Sequence, residues 1–128
     1  MSADRPTDPL WKQCANAALQ AELRGDLNYA DEQYRLSITL AEYEKPEDHL
    51  GEALTNYGDF LAAHNRPGDA EVYYRRAILV YEKLFGPDNL VTGMIYRVLA
   101  EIYSSQEREM QAHLLNNQAN RIFKQRAS

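Results

Sequence analysis

Cysteine and long apolar runs are almost missing from this sequence. Cys14 is the only cysteine among 128 residues, which excludes an internal disulfide framework and a zinc site built from cysteines. No stretch approaches the roughly 20 apolar residues of a membrane-crossing helix, and the first residues lack the basic and apolar pattern of a signal peptide. We therefore expect a soluble, cytoplasmic protein that does not contact a membrane.

Basic residues are also too few for a general nucleic-acid surface. Fourteen Lys and Arg stand against nineteen Asp and Glu, a net charge of −5, so nucleic-acid binding lacks its main energetic contribution. The charge is uneven along the chain: residues 1–64 contain five basic and twelve acidic residues, and residues 65–128 contain nine and seven. We expect the first half to repel anions.

Residues that could support catalysis form no recognised pattern. His49, His64 and His113 are too far apart in sequence to share one helix face as metal ligands, and neither a phosphate-binding glycine loop nor a nucleophile elbow occurs. Cys14 lies among alanines and is interpreted as a packing residue, because a reactive thiol needs electropositive surroundings. The sequence predicts no enzymatic activity, no metal and no cofactor.

Glycine and proline divide the chain into segments whose apolar residues recur every three or four positions, which indicates helices. No segment alternates as a strand does. The expected helices cover about 9–24, 27–44, 47–64, 67–85, 89–104 and 106–125. The last boundary contains neither Gly nor Pro; there Ser104 and Glu107 form a candidate capping box, without which the last two helices would merge.

A repeat runs through these helices. Residues at spacings of 40 and then 42 are similar in character, and small residues at such positions let paired helices approach closely. One helix pair cannot bury its apolar face alone, whereas stacked pairs can. The small residues predicted to pack the repeats are Ala18, Gly58 and Ala100, then Ala30, Ala70 and Ala112, and finally Ala77 and Ala119.

At these positions the chain resembles the tetratricopeptide repeat (TPR) family. The long second helix that ends at Gly86-Pro87-Asp88 is similar to the kinesin-light-chain-like repeat type. The resemblance implies an all-α, right-handed superhelical solenoid of three helix-turn-helix repeats, at about 9–45, 46–86 and 87–125, forming one domain after a flexible segment 1–8. The middle repeat carries it most clearly, through Ala53-Leu54, Asn56-Tyr57-Gly58, Leu61, Pro67-Gly68-Asp69-Ala70, Tyr74, Ala77-Ile78 and Tyr81.

In this family the odd helices line a concave surface that binds peptides. Acidic residues outnumber basic ones on the equivalent surface here, which favours a neutral or basic segment of a partner protein. Of the basic and amide residues with which some members bind chaperone tails, only Asn56 is present, which argues against that ligand. The predicted groove residues are Lys12, Leu19 and Glu22, then Glu52, Thr55, Asn56 and Asp59, and finally Arg97 and Glu101.

An alternative function is self-association, for example as a homodimer, through the ends of the solenoid. Trp11 at one end, with Leu115 and Phe123 at the other, are the candidate contacts. Trp11 is equally interpreted as a cap on the first helix pair. In the last helix, Asn116 and Asn120 replace the Tyr and Ile of the other repeats, which indicates either a solubilising cap or a hydrogen-bonding strip.

Overall fold

The computed structural model describes residues 7–127, so most of the predicted flexible segment 1–8 lies outside the described residues. Within 7–127 the chain forms six α-helices and no strand, which confirms the predicted all-α fold. None of these helices combines the length and apolar character that crossing a membrane requires. The helices are α1 (Leu10–Arg24), α2 (Leu27–Tyr43), α3 (Asp48–Ala63), α4 (Pro67–Phe85), α5 (Leu90–Ser105) and α6 (Glu109–Ala127).

Consecutive helices pack in pairs, and the pairs then stack. The closest packing joins α1 to α2, α3 to α4 and α5 to α6, while α3 also packs on α2 and α1, and α5 packs on α4. The small residues at the repeat positions lie at these contacts and are buried, which allows the helix axes to come close. They are Ala18, Gly58, Ala100, Ala30, Ala70, Ala112, Ala77 and Ala119.

Each pair turns at the same place in the repeat, through one residue in the left-handed conformation. Gly25 has φ 82°, Asn65 has φ 62° and Glu107 has φ 61°. The next backbone N–H then donates to a carbonyl five residues earlier, which satisfies the end of the preceding helix. These bonds, each 2.9 Å, run from Asp26 to Ala21, from Arg66 to Leu61 and from Arg108 to Tyr103.

The predicted capping box at Ser104 is wrong. Ser104 lies inside α5, and Glu107 occupies the left-handed turn instead of the third position of a helix. The Ser104 hydroxyl donates to the Glu109 carboxylate at 2.9 Å. Since the turn occupies residues 106–108, α6 begins at Glu109, three residues later than predicted, and α5 and α6 are separate helices.

Large and small side chains change places between the first pair and the other two. Trp11 is only 2% exposed, so the expectation of an exposed anchor at this end is wrong. Its repeat equivalents on α3 and α5 are glycines, and the residue facing this position from the even helix is small where the first is large. The three combinations are Trp11 with Ala41, Gly51 with Tyr81 and Gly93 with Phe123.

The opposite end does not expose the predicted contacts either. Leu115 is buried, and Phe123 is half-buried beneath the Arg97 guanidinium, which lies 4.7 Å from the ring centre. Asn116 and Asn120 are exposed instead. The end faces therefore lack the apolar surface that self-association was expected to use.

Candidate functional site

A hollow of about 460 Å³ lies between α1 and α3, and we call it the α1–α3 hollow. Its wall is part apolar and part polar, and no Lys or Arg lines it. It is the place where the largest number of predicted groove residues meet. The lining residues are Ala15, Asn16, Leu19, Glu22, Tyr34, Asn56, Asp59, Phe60 and Ala63.

Helical spacing brings these side chains to one surface. Leu19 and Glu22 follow Ala15 by four and seven residues on α1, and Ala63 follows Asn56 by seven on α3. Residues at such intervals share a helix face. Because α1 packs directly on α3, the two faces form opposite walls of one hollow.

The Glu22 carboxylate is held in place from two sides. One oxygen accepts a hydrogen bond from the Tyr34 hydroxyl at 2.9 Å, and the other lies 2.9 Å from His64 Nε2. These contacts join α1 to α2 and to the residue that follows α3. A carboxylate has about four acceptor positions, so Glu22 retains capacity for a ligand.

Asp59 is the second carboxylate of the hollow. It accepts a hydrogen bond from the hydroxyl of Tyr74, which is buried in α4. Burial raises the pKa of Asp59, the Tyr74 bond opposes that shift, and the nearby charge of Glu22 adds to it. The mutual effect indicates that the two carboxylates share one local field.

The tyrosines beneath these carboxylates remain hydrogen-bond donors. Burial raises the pKa of Tyr34, and its bond to Glu22 raises the pKa further. Tyr74 behaves in the same way, first through burial and then through its bond to Asp59. Both hydroxyls therefore stay protonated and keep the carboxylates oriented.

Two side-chain amides in the hollow have no partner. Among residues 7–127, no hydrogen bond uses the side chain of Asn16 or of Asn56. An amide offers two donor hydrogens and one acceptor oxygen. Asn56 lies between the apolar wall and Asp59, so it is placed to bond both the N–H and the C=O of a bound backbone.

A smaller hollow of about 280 Å³ continues toward α5, and we call it the α3–α5 hollow. Its one carboxylate, Glu101, is the repeat equivalent of Asp59, and its charge contributes to the raised pKa of Tyr74. No basic residue lines this hollow either. The lining residues are Ala62, Asn65, Pro67, Val98, Glu101, Ile102 and Ser105.

Four predicted groove residues do not line these two hollows. The side chains of Lys12 and Glu52 line neither, and the Thr55 hydroxyl donates to the Gly51 carbonyl of its own helix at 2.8 Å. Arg97 turns toward α6, where it donates to the Asn120 side chain at 2.9 Å. Its assignment to the groove is wrong, because α6 offers it an amide acceptor and the Phe123 ring.

Sequence reasoning missed residues that come from outside the predicted groove face. Tyr34 and Phe60 were treated only as core, and His64 only as a surface residue. A signal existed for Tyr34: a buried tyrosine hydroxyl needs a partner, and Glu22 is the acidic residue nearest to the preceding turn on α1.

A third hollow, of about 420 Å³, lies where the start of α2 meets the turn between α3 and α4. Its charged groups are matched. Arg35 lies 2.9 Å from Asp31, and Arg66 lies 2.9 Å from Asp69. Because these charges neutralise one another, this hollow offers less to a charged ligand. Within residues 7–127 no three His, Cys, Asp or Glu side chains converge as metal ligands.

Comparison with known proteins places this architecture. The family model of the tetratricopeptide repeat matches residues 49–125. The structure of BtubC (BKLC) from P. vanneervenii is similar with a TM-score of 0.79 and 20% sequence identity, over 96% of this chain and 50% of that one. This chain thus spans about half the length of BtubC, and at such identity the likeness shows the fold alone. No curated protein matches the sequence.

The family match covers α3–α6 together with their turns, which is more than half of the chain. The structural likeness extends to α1 and α2, which repeat the same left-handed turn and small-residue contacts. The family predicted from the sequence is confirmed. This chain belongs to the tetratricopeptide repeat family.

Proposed function

We propose that this chain is a non-enzymatic interaction module that holds a segment of a partner protein in the α1–α3 hollow and the adjoining α3–α5 hollow. Tetratricopeptide repeats are generally protein-interaction modules, which supports the general class. The hollows are lined from packed helices, so a bound segment meets a surface that needs little ordering. A cytoplasmic location stays a prediction from the sequence.

The observation that carries the proposal is the unpartnered Asn56 amide inside the hollow. A buried or half-buried polar group without a partner is costly unless water or a ligand satisfies it. Asn56 is half-buried, with the apolar side chains of Leu19 and Ala63 on the same wall. An extended backbone laid across this wall supplies both a donor and an acceptor to the amide.

Charge narrows the class of partner. The two hollows present Glu22, Asp59 and Glu101 and are lined by no Lys or Arg. An acidic segment or a nucleic-acid backbone would be repelled, whereas a neutral or basic segment would not. We therefore propose a neutral or basic protein segment as the ligand, with no role for nucleic acid, membrane or cofactor.

Self-association receives no comparable support. Trp11 and Leu115, two of the three side chains expected to form end contacts, are buried. The exposed residues at the α6 end include Asn116 and Asn120. We propose that the chain is monomeric when no partner is present.

Selection from a random peptide library displayed on phage tests the binding function. Peptides enriched on the wild-type chain are synthesised, and their affinities are measured by isothermal titration calorimetry. We expect Asn56→Ala to lower these affinities about three- to tenfold, the effect of losing a typical hydrogen bond. The matched control, Asn117→Ala, removes an exposed amide from α6 and leaves the affinities unchanged.

Melting temperatures of the variants separate loss of binding from loss of fold. If no peptide is enriched, or if Asn56→Ala binds as the wild type does while both remain folded, the α1–α3 hollow is not the peptide site.

A further inference from the structure

One carboxylate stands on the open side of each odd helix: Glu22 on α1, Asp59 on α3 and Glu101 on α5. The first two line the α1–α3 hollow and the third lines the α3–α5 hollow. The charge of Glu22 acts on Asp59, and the charge of Glu101 acts on Tyr74, which bonds Asp59. The three groups therefore follow one another across the surface, and we call them the acidic track.

The track has no cation of its own on the open side. Arg97, the nearest arginine on α5, is committed to Asn120 and to the Phe123 ring. His64 approaches Glu22 only at the oxygen that does not contact Tyr34. Three uncompensated carboxylates beside apolar walls leave a field that a positively charged ligand would satisfy.

The spacing of the helices sets the spacing of the charges that would match. Packed helices lie about 8–10 Å apart, and an extended chain advances about 3.3–3.6 Å per residue. Three residues of an extended segment therefore span about the distance from one odd helix to the next. A side chain at every third position would meet the carboxylates in turn.

The apolar residues of the two hollows suit the stems of long basic side chains. Leu19 and Phe60 lie beside the first two carboxylates, and Val98 lies beside the third. Lysine and arginine bury their methylene groups against such surfaces while the charged end reaches an acceptor. The hollows thus offer both the packing and the charge that these side chains require.

We propose that Glu22, Asp59 and Glu101 recognise lysine or arginine side chains at every third residue of an extended partner segment. This inference rests on the proposed function and adds the sequence pattern of the ligand. Asn56 holds the backbone of the segment, and the acidic track selects its side chains.

Fluorescence anisotropy with labelled synthetic peptides tests the pattern at pH 8 and low salt. The first peptide carries three lysines, each separated by two small neutral residues; the second has the same composition with the lysines adjacent; in the third, glutamine replaces each lysine. We expect the spaced peptide to bind about threefold more tightly than the adjacent one and about tenfold more tightly than the glutamine peptide. The preference should weaken as salt rises.

Charge-neutral variants test each carboxylate. Asp59→Asn keeps an acceptor for Tyr74, and Glu101→Gln alters an exposed side chain, so both should fold. Each should lower the affinity for the spaced peptide about two- to fivefold. Glu42→Gln makes the same charge change on α2, outside both hollows, and should have no effect.

Shortened peptides test the register. When either the first or the last lysine is replaced by glutamine, we expect Glu101→Gln to lose its effect on one of the two peptides and keep it on the other. Equal binding of the spaced and adjacent peptides, or equal loss with Glu42→Gln, overturns the acidic track. If library peptides still depend on Asn56 in that case, the proposed function stands without it.

Discussion

Trp11, Gly51 and Gly93 occupy one place in the three helix pairs, and the even helix adapts to each of them. A Cβ atom added at Gly51 would lie 2.6 Å from Cζ of Tyr81, and one added at Gly93 would lie 3.2 Å from the Phe123 ring. Protein interiors leave no space for both large residues at one contact. The first pair reaches the same total volume with Trp11 against Ala41.

Gly51→Ala is therefore expected to destabilise the fold, although alanine favours a helix. The gain in helix propensity is about 1 kcal/mol, and displacing a packed ring costs about 1–3 kcal/mol, so the free energy of unfolding should fall by about 1 kcal/mol. Gly68→Ala is the control, because nothing lies within 4 Å of its added Cβ, and it should leave stability unchanged or raise it. Urea unfolding measures both; equal stability of the two variants would contradict the proposed exchange.

The sequence permitted this exchange to be seen, since Trp11, Gly51 and Gly93 keep the repeat spacing of 40 and 42 residues. The interpretation of Trp11 as an exposed anchor considered the residue alone, at the first helix of the chain. Burial of a side chain depends on its partner across the helix pair. Comparing both partners at equivalent positions predicts the packing that either residue alone does not.

At the scale of helices, the turns between paired helices show where sequence signals succeed and fail. Gly25 favours the left-handed conformation, and Pro67 favours a first helical turn, so two boundaries were predicted closely. Glu107 has no such preference, and its conformation is imposed by the packing of α5 on α6. Its register, 42 residues after Asn65, was the remaining signal.

Glu107→Gly is expected to stabilise the chain. A residue other than glycine in the left-handed region costs about 1–2 kcal/mol, and glycine removes most of this cost while losing some entropy on folding. The net gain in the free energy of unfolding should be about 0.5–1 kcal/mol, measured by thermal or urea unfolding. His113→Gly, at an exposed position inside α6, should instead lower stability by about 1 kcal/mol; a loss in both variants would show that Glu107 is not strained.

The candidate groove was predicted unevenly for a similar reason. Glu22, Asn56 and Asp59 were placed correctly by the helical period and do meet in one hollow. The direction of a long side chain at a helix edge is decided by its neighbours, so Arg97 was assigned to the groove although it turns to Asn120. Period fixes which face a residue occupies, and local partners fix where its end group goes.

At the scale of the whole molecule, both ends of the stack replace apolar residues by polar ones. Gln20 on α1 corresponds to Phe60 and Ile102, which α2 and α4 cover from the preceding pair. On α6, Asn116 corresponds to Tyr34 and Tyr74, and Asn120 corresponds to Ile38 and Ile78, all of which are buried. Terminal faces of this composition keep a stack of helices from adding further copies.

Restoring the internal residues at the α6 end should therefore create an association surface. We expect the wild-type chain to run as a monomer at micromolar concentration, and the double variant Asn116→Tyr, Asn120→Ile to dimerise or form larger species, because it exposes a contiguous apolar patch. Light scattering coupled to size-exclusion chromatography gives the mass of each. The control, Asn116→Gln with Asn120→Gln, keeps the face polar and should remain monomeric. A wild-type chain that already dimerises, or a double variant that stays monomeric, would show that these asparagines do not limit the stack; the first result would also favour self-association.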